Sequence, residues 1–561
     1  MSEIDTLHIE IIRQRLVSIA EESEATILRT AYSSTVAEAA DFSAGLFDAQ
    51  RRLIAQTPRA LGAFIGILGT ALRRLLEDFP PETLSPGDVI ITNDPWIGAG
   101  HLPDIVMIRP IFYRERIVGY SANVAHVADL GGKVSAEAAD MFEEGLSIPP
   151  IKFYEKGKMN RTVLAFIAAN SRLPTHVNGD LHALNTANKM AAQRVCELMD
   201  EYGLDELTGF SDQIQSRAEK AVRARIREVP DGVYTGSATS DGADAPLKLN
   251  VAITVKGDTV TVDYAGTSDQ VRWGLNAPFN LTRAETLYAL RIAFAPDVPV
   301  VDGAVAPFTV TAPEGCVLNP LRPAPTMIRV TVVQNVYGAV FKALAPLVPE
   351  HIAPNRLHAH FGGIWAVRFR GTYPKVPAAY ANGGPPQVNA TFTEAYFANG
   401  GAGALPDSDG HSTISMPVNC ANIPVEIMEA RAPILFEYKR QEPDTGGPGK
   451  YRGGVGQAFA IKVLSDVPVD FVPGTNDRVD NPPFGLFGGQ AGRGGGFWIE
   501  GQKADRRRSQ RMEHGQVVTV VVPGGGGCGN PSERDRAAIA EDLKEGLITS
   551  EGAARDYDYR D

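Results

Sequence analysis

The sequence predicts an α+β protein, a large multi-layer mixed α/β body with a β-rich second half. Three observations carry this expectation. Apolar residues recur at helical spacing over residues 4–32, and residues 61–79 also read as a helix. From Gly232 to about residue 275 the pattern changes to alternation, with turns such as Lys256-Gly257-Asp258 between the runs. The 561 residues exceed one simple core, because a domain averages roughly 150 residues.

Taken in order, Ile4, Leu7, Ile11, Ile12, Leu16, Ile19, Ile27 and Leu28 mark the first helix. Asp41 to Asp48 reads as a strand and turn, and the helix over 61–79 ends before Pro80-Pro81. Pro86-Gly87-Asp88 is a turn, and Val89 to Thr92 is a short buried strand leading into Asn93-Asp94-Pro95-Trp96. The apolar runs 104–112 and 117–124, split by Arg114-Glu115-Arg116, predict a β-hairpin. Centred on Glu115, that hairpin sets Asp104 opposite His126, with His101 one short turn upstream. The turn has no Gly or Asn, so a slip of one residue stays open, and it would send the side chains to opposite faces.

Residues 129–180 read as loop-rich, and 181–228 as mostly helical with a break near Gly203 and Gly209. The change of pattern near residue 230 divides the chain into three regions. These are an N-terminal α/β region (1–230) with the candidate metal site, a β-rich α+β region (231–530), and a C-terminal helix and tail (531–561). Within the second region, helices are expected at about 281–296 and 328–348, and in the third at about 533–545.

Composition excludes several classes of function. A formal net charge of −12 argues against a general nucleic-acid binder, which needs a basic surface to displace counterions. Arg506-Arg507-Arg508 is an isolated basic cluster that reads as a solvated turn. Cys196, Cys316, Cys420 and Cys528 are scattered, with no Cys-x-x-Cys pair, so a disulfide framework is not expected and a reducing cytoplasm fits. The acidic start Met1-Ser2-Glu3-Ile4-Asp5 lacks the features of a signal peptide, and no run of eighteen apolar residues predicts a membrane span.

His101, Asp104 and His126 are the strongest candidate ligands. Two neutral imidazoles and a carboxylate suit Mn²⁺, Fe²⁺ or Zn²⁺ and leave coordination positions for water or substrate. The competing reading makes them ordinary polar partners at strand ends. Asp41, Asp94 and Asp129 are possible further ligands or orienting partners, with turn capping as the alternative for each. His358-Ala359-His360 reads as two histidines on one strand face rather than a ligand pair, and His176 and His182 as surface or cap residues. The glycine runs fail the P-loop pattern, because no Ser or Thr follows Lys450 and Asp444 stands at the first glycine position. Close backbone packing explains those runs better.

Several segments carry a family pattern in the right order. They include Asp41-Phe42-Ser43, Thr92-Asn93-Asp94-Pro95, His101-Leu102-Pro103-Asp104, Ala125-His126-Val127-Ala128-Asp129, Glu144-Gly145-Leu146, Pro323-Ala324-Pro325 and the Pro523 to Gly529 run. Over nearly its whole length the chain resembles the B-type component of the hydantoinase/oxoprolinase family, the HyuB type. The resemblance implies a hetero-oligomer in which a HyuA-type partner binds ATP and phosphorylates a carbonyl or enol oxygen, while the HyuB-type chain handles the activated small molecule. It implies a divalent metal (Mn, Zn or Fe) held at His101, Asp104 and His126, with Asp41 close by. Asp94, Asp129 or Glu144 would then be the base that takes a proton from water.

The expected activity is ATP-dependent opening of a hydantoin, 5-oxoproline or lactam ring. The alternatives are a subunit of a ketone carboxylase, or a non-catalytic scaffold for the ATP-binding partner. The chain shows no HyuA-like region, so by this resemblance it cannot complete an ATP-dependent cycle alone.

Overall fold

The long helix α1 (Thr6–Thr30) opens the computed structural model, which describes residues 6–57, 64, 66–373, 391–414 and 416–560. Ile9, Ile12, Leu16, Ile19 and Ile27 are buried, whereas Leu7, Ile11 and Leu28 face outward. The apolar stripe is therefore narrower than its sequence suggests, and Ile4 lies outside the described residues. A short helix α2 (Ser34–Ala37), capped by the Ser33 hydroxyl, turns the chain into the first sheet.

That sheet has seven strands: β1 (Phe42–Asp48), β2 (Leu53–Gln56), β3 (Val89–Thr92), β4 (Asp104–Tyr113), β5 (Arg116–His126), β6 (Ile151–Glu155) and β7 (Lys158–Met159). Their order is β2-β1-β5-β4-β3-β6-β7, and every pairing is antiparallel. Strands β1, β3, β4 and β5 are buried along almost all of their length, so both faces of the sheet are covered. One face meets α3 (Ile67–Asp78), whose buried residues Ile67, Leu68, Leu72 and Leu75 belong to the main core. The expected helix began at 61, but 61–63 and 65 lie outside the described residues.

The section read as loop-rich holds more structure than expected. Besides β6 and β7 it contains α4 (Arg161–Ala169), capped by the Asn160 side chain, and the start of α5 (Pro174–Tyr202). Pro174 occupies the first turn of α5, where its missing N–H costs nothing, so the helix begins seven residues before the expected 181. Gly203 ends α5 in the left-handed conformation (φ 63°), as its position suggested, while Gly209 falls within the first turn of α6 (Thr208–Ile226).

Beyond residue 230 the alternating pattern forms β8 (Gly232–Ser240), β9 (Leu247–Lys256) and β10 (Thr259–Asp263). These join β11 (Phe308–Thr311) in a four-stranded sheet. Helix α7 (Phe279–Phe294) packs nearby. The stretch expected as one helix over 328–348 divides into α8 (Val330–Val333), α9 (Asn335–Leu344) and a final 3₁₀ turn. Val330–Leu347 is long and apolar enough to cross a membrane, but 78% of it is buried inside the protein, where it serves as core.

Two further sheets complete the β-rich half. One is ordered β13-β12-β16-β19, from β12 (Ile364–Thr372), β13 (Thr391–Asn399), β16 (Val469–Pro473) and β19 (Gln510–Met512). The other is ordered β14-β15-β20-β17-β18, from β14 (Ile434–Gln441), β15 (Gln457–Val463), β17 (Gly496–Ile499), β18 (Gln502–Lys503) and β20 (Val517–Val521). A short helix α10 (Val425–Arg431) precedes β14. The glycine runs pack backbone on backbone: a Cβ at Gly525 would lie 1.9 Å from the Ala402 carbonyl oxygen.

The C-terminus is not a plain charged tail. After α11 (Arg536–Lys544), a second helix α12 (Ser550–Tyr557) buries Ala553 and Tyr557 against Ile539 and Ile548. Arg506-Arg507-Arg508 is not wholly solvated either. Arg507 is 4% exposed and donates to the Gly242 and Asn476 carbonyls, while Arg506 pairs with buried Asp241 at 2.5 Å.

Candidate metal centre

Adjacent strands bring the candidate ligands together. Asp104 starts β4 and His126 ends β5, and the two are direct cross-strand partners. β1 flanks β5 on its other side, pairing Phe42 with Ala125. Asp41, just before β1, therefore arrives beside His126, whose N–H donates to the Asp41 carbonyl at 3.0 Å. His101 closes the group from a turn whose carbonyl accepts from the Asp104 N–H at 3.3 Å.

Three side-chain atoms converge there. His101 Nε2 lies 2.8 Å from Asp104 Oδ1, and His126 Nδ1 lies 3.2 Å from the same oxygen. The two ring nitrogens are 3.1 Å apart, and Asp41 Oδ2 is 3.9 Å from His126 Nδ1. His101, Asp104 and His126 are at most 9% exposed. Among the described residues they form a set of three potential ligands whose donor atoms all lie within 4.8 Å of one another.

Proton counting tests whether this set fits a cation. His101 Nδ1 lies 3.0 Å from the Met327 carbonyl, which can only accept, so Nδ1 carries the ring proton and Nε2 presents a lone pair. Burial, reinforced by the Arg329 cation, lowers His101 to about 4, so the ring is neutral at pH 7. His101 Nε2 and Asp104 Oδ1 thus face each other as acceptors at 2.8 Å, and Asp104 Oδ1 lacks any well-formed hydrogen bond. A single proton on His126 Nδ1 cannot satisfy both. A divalent cation between the three atoms would, and an outward Nδ1–H bonded to a carbonyl is the usual arrangement of a metal-binding histidine.

The surrounding groups hold this geometry. Arg329, 5% exposed, donates through Nη2 to Asp104 Oδ2 at 2.7 Å and through Nε to the Ala99 carbonyl at 2.8 Å. Burial tends to raise Asp104, but the Arg329 guanidinium at 2.7 Å opposes it, and the carboxyl lies well below the usual carboxylate range. Burial, partly offset by His126, pushes Asp41 up to about 6. Cys420 lines the same space beside Asp41, and burial raises its thiol well above the ordinary range.

The cluster forms the floor of a cavity of about 90 Å³. Its walls are mostly apolar, including Phe64, Val134, Ile328, Ile364, Phe397 and Val418, with Arg368 and Thr475 as polar exceptions. Such a chamber suits a small organic molecule presented to a cation.

Asp94, Asp129 and Glu144 do not line it. Asp94 accepts from Trp96 N–H at 2.9 Å and pairs with Arg322 at 2.5 Å. Asp129 is engaged by Arg172, through Nη1 at 2.6 Å and the backbone N–H at 2.5 Å. Glu144 Oε1 accepts from the N–H groups of Thr326 (2.6 Å) and Met327 (2.7 Å), and burial pushes this carboxyl up to about 7 against those bonds. His358 and His360 are buried apart from the cluster, the latter stacked on Phe484 with centroids 4.6 Å apart. Sequence reasoning missed Arg329, Cys420, Arg368 and the Met327 carbonyl. Their only signal was proximity to Pro323-Ala324-Pro325, and that for residues 327 and 329 alone.

Fold and site together define a class: large α+β proteins with a buried His-Asp-His cluster at the floor of an apolar chamber. Residues 5–531 match the hydantoinase B/oxoprolinase family model, and the chain belongs to that family. It is 29% identical over 588 residues to the B-type component of a putative D-/L-hydantoinase from a Pseudomonas species, covering 99% of this chain and 95% of that protein. The crystal structure of the ATP-dependent caprolactamase from Pseudomonas jessenii superposes with a TM-score of 0.86 at 25% identity, over 99% of this chain and 96% of that one. An acetone carboxylase in its nucleotide-free form shares the fold, with a TM-score of 0.84 at 20% identity over 98% of this chain and 79% of that one.

Proposed function

We propose that this chain is the metal-bearing subunit of an ATP-dependent cyclic-amide hydrolase, acting on a hydantoin, 5-oxoproline or lactam ring together with a HyuA-type ATP-binding partner. His101, Asp104 and His126 would hold the divalent cation (Mn, Zn or Fe), with Asp41 next to them. The observation that carries this reading is the convergence of His101 Nε2 and His126 Nδ1 on Asp104 Oδ1 at 2.8 and 3.2 Å, at the base of an apolar chamber. The hydantoinase and caprolactamase relatives, similar over nearly the full chain, favour ring opening over carboxylation.

The chemistry assigns distinct tasks. A planar amide resists water, and phosphorylation of its oxygen on the partner subunit creates an imidate-like electrophile with a good leaving group. A divalent cation, when bound, lowers the pKa of water at the site. In this chain Arg329 fixes Asp104, and Met327 fixes the His101 tautomer. The apolar walls keep stray water from the labile phosphorylated ring. Asp41 is the carboxylate positioned to accept a proton, being the one beside the ligands inside the chamber. Asp94, Asp129 and Glu144 hold the loops around it.

The test is turnover of cyclic amides by the assembled complex with ATP, with and without bicarbonate, alongside elemental analysis of this chain. Ring opening without bicarbonate and about one metal per chain is expected. A requirement for bicarbonate would transfer the assignment to ketone carboxylation, and full turnover by His101→Ala without metal would leave only a scaffold role.

A further inference from the structure

Among the described residues the chamber contains one arginine, Arg368, that is paired with no carboxylate. Arg368 lies on β12, where Ile364, Ala366 and Arg368 share a face by strand alternation and line the chamber. Its direct cross-strand neighbour on β13 is Ala395, a side chain too small to cover the guanidinium. Arg368 Nη1 donates to the Val134 carbonyl at 3.2 Å. Among the described residues no carboxylate lies in salt-bridge contact with it. The two nearby acids are engaged elsewhere, Asp129 by Arg172 and Glu394 by the Ser34 hydroxyl at 2.8 Å. By contrast, Arg329, the other arginine of the chamber, is committed to Asp104.

Arg368 is part-exposed, and with no carboxylate in contact its guanidinium is available to an anion entering the chamber. Its flat fork of N–H donors matches a carboxylate or phosphoryl oxygen pair. Apart from Thr475 the remaining wall is apolar, so an oxyanion entering this space meets Arg368 as the cation without a carboxylate partner among the described lining residues.

We propose that Arg368 is the oxyanion anchor of the chamber, gripping a negatively charged group on the molecule presented to the His101–Asp104–His126 cluster. This rests on the reading of that cluster as the reaction centre. Two sources share the chemistry: a carboxylate carried by the ring itself, as in 5-oxoproline, or the phosphoryl group placed on the amide oxygen.

The experiment compares wild type with Arg368→Gln and Arg368→Lys in the full chain. Binding of 5-oxoproline, caprolactam and inorganic phosphate is measured by calorimetry, and turnover of both rings is measured in the assembled complex with ATP. A ring carboxylate at Arg368 predicts about 100-fold weaker 5-oxoproline binding in Arg368→Gln, with caprolactam unaffected. A phosphoryl group there predicts lost phosphate binding and an equal drop in kcat for both rings. Arg368→Lys keeps the charge without the fork and is expected to lose about 10-fold, which covers the case of an unfolded glutamine variant. Unchanged binding and turnover in folded variants would overturn the proposal, as would a wild-type chain that binds neither anion. Arg368-dependent anion binding in a complex that opens no ring would sink the hydrolase assignment and leave the anchor standing.

Discussion

Asp104 and His126 face each other across β4 and β5 because two local irregularities cancel. Arg114 and Glu115 form the two-residue turn, both with positive φ (46° and 66°), so Tyr113 pairs with Arg116. That pairing alone would set the register one residue off. A bulge between Ile111 and Phe112 restores it, and Asp104 meets His126. The hairpin is therefore not centred on Glu115, yet the pairing expected from that centring is the one found.

The turn gives the first prediction. A non-glycine residue with positive φ carries a local penalty that glycine avoids. Glu115→Gly should raise stability by about 1 kcal/mol in urea denaturation and leave metal content unchanged.

Arg329 supplies the second. It holds the free oxygen of Asp104, so Arg329→Met should release that carboxylate and weaken metal binding by about 10- to 100-fold in competition with a chelator. His126→Ala removes a donor outright and should purify without stoichiometric metal. Stoichiometric metal in that variant would end the ligand assignment.

Glu144 predicts a dependence of stability on pH. Its folded value of about 7 exceeds the ordinary 4.5, so between these the folded state holds a proton that the unfolded state has lost. This contribution is complete below pH 4.5 and disappears as pH rises through 7, a loss of about 3 kcal/mol. Glu144→Gln keeps an oxygen for the Thr326 and Met327 N–H groups and cannot ionise. Its unfolding free energy should lack that decline, and an unchanged slope in chemical denaturation from pH 4.5 to 7 would refute this.

Asp129 separates a holding role from a basic one. Asp129→Asn strips Arg172 of its carboxylate and should cost about 3 kcal/mol of stability while the metal stays bound. A folded variant of full stability whose kcat alone collapses would restore Asp129 as the base.

The sequence was most legible where one local rule acted alone. Helical spacing found α1 and α6, alternation found β8 to β10, and hairpin pairing joined His126 to Asp104. It misread 129–180 because α4 and the start of α5 are carried by a cap at Asn160 and a proline at the first turn, signals weaker than the surrounding glycines. It also read Arg506 and Arg507 as solvated, because Asp241 and Asn476, which receive them, are distant in the chain.

By itself, then, the order of residues determined the element types, the glycine packing runs and the His-Asp-His grouping, since strand pairing and turn spacing are short-range. Tertiary packing alone decided which carboxylates are free. Asp94, Asp129 and Glu144 lie close to the cluster in sequence, but Arg322, Arg172 and the Thr326–Met327 backbone claim them. Arg329 and Arg368 reach the chamber from more than 200 residues away in the chain, and only folding states which of the two has its charge answered.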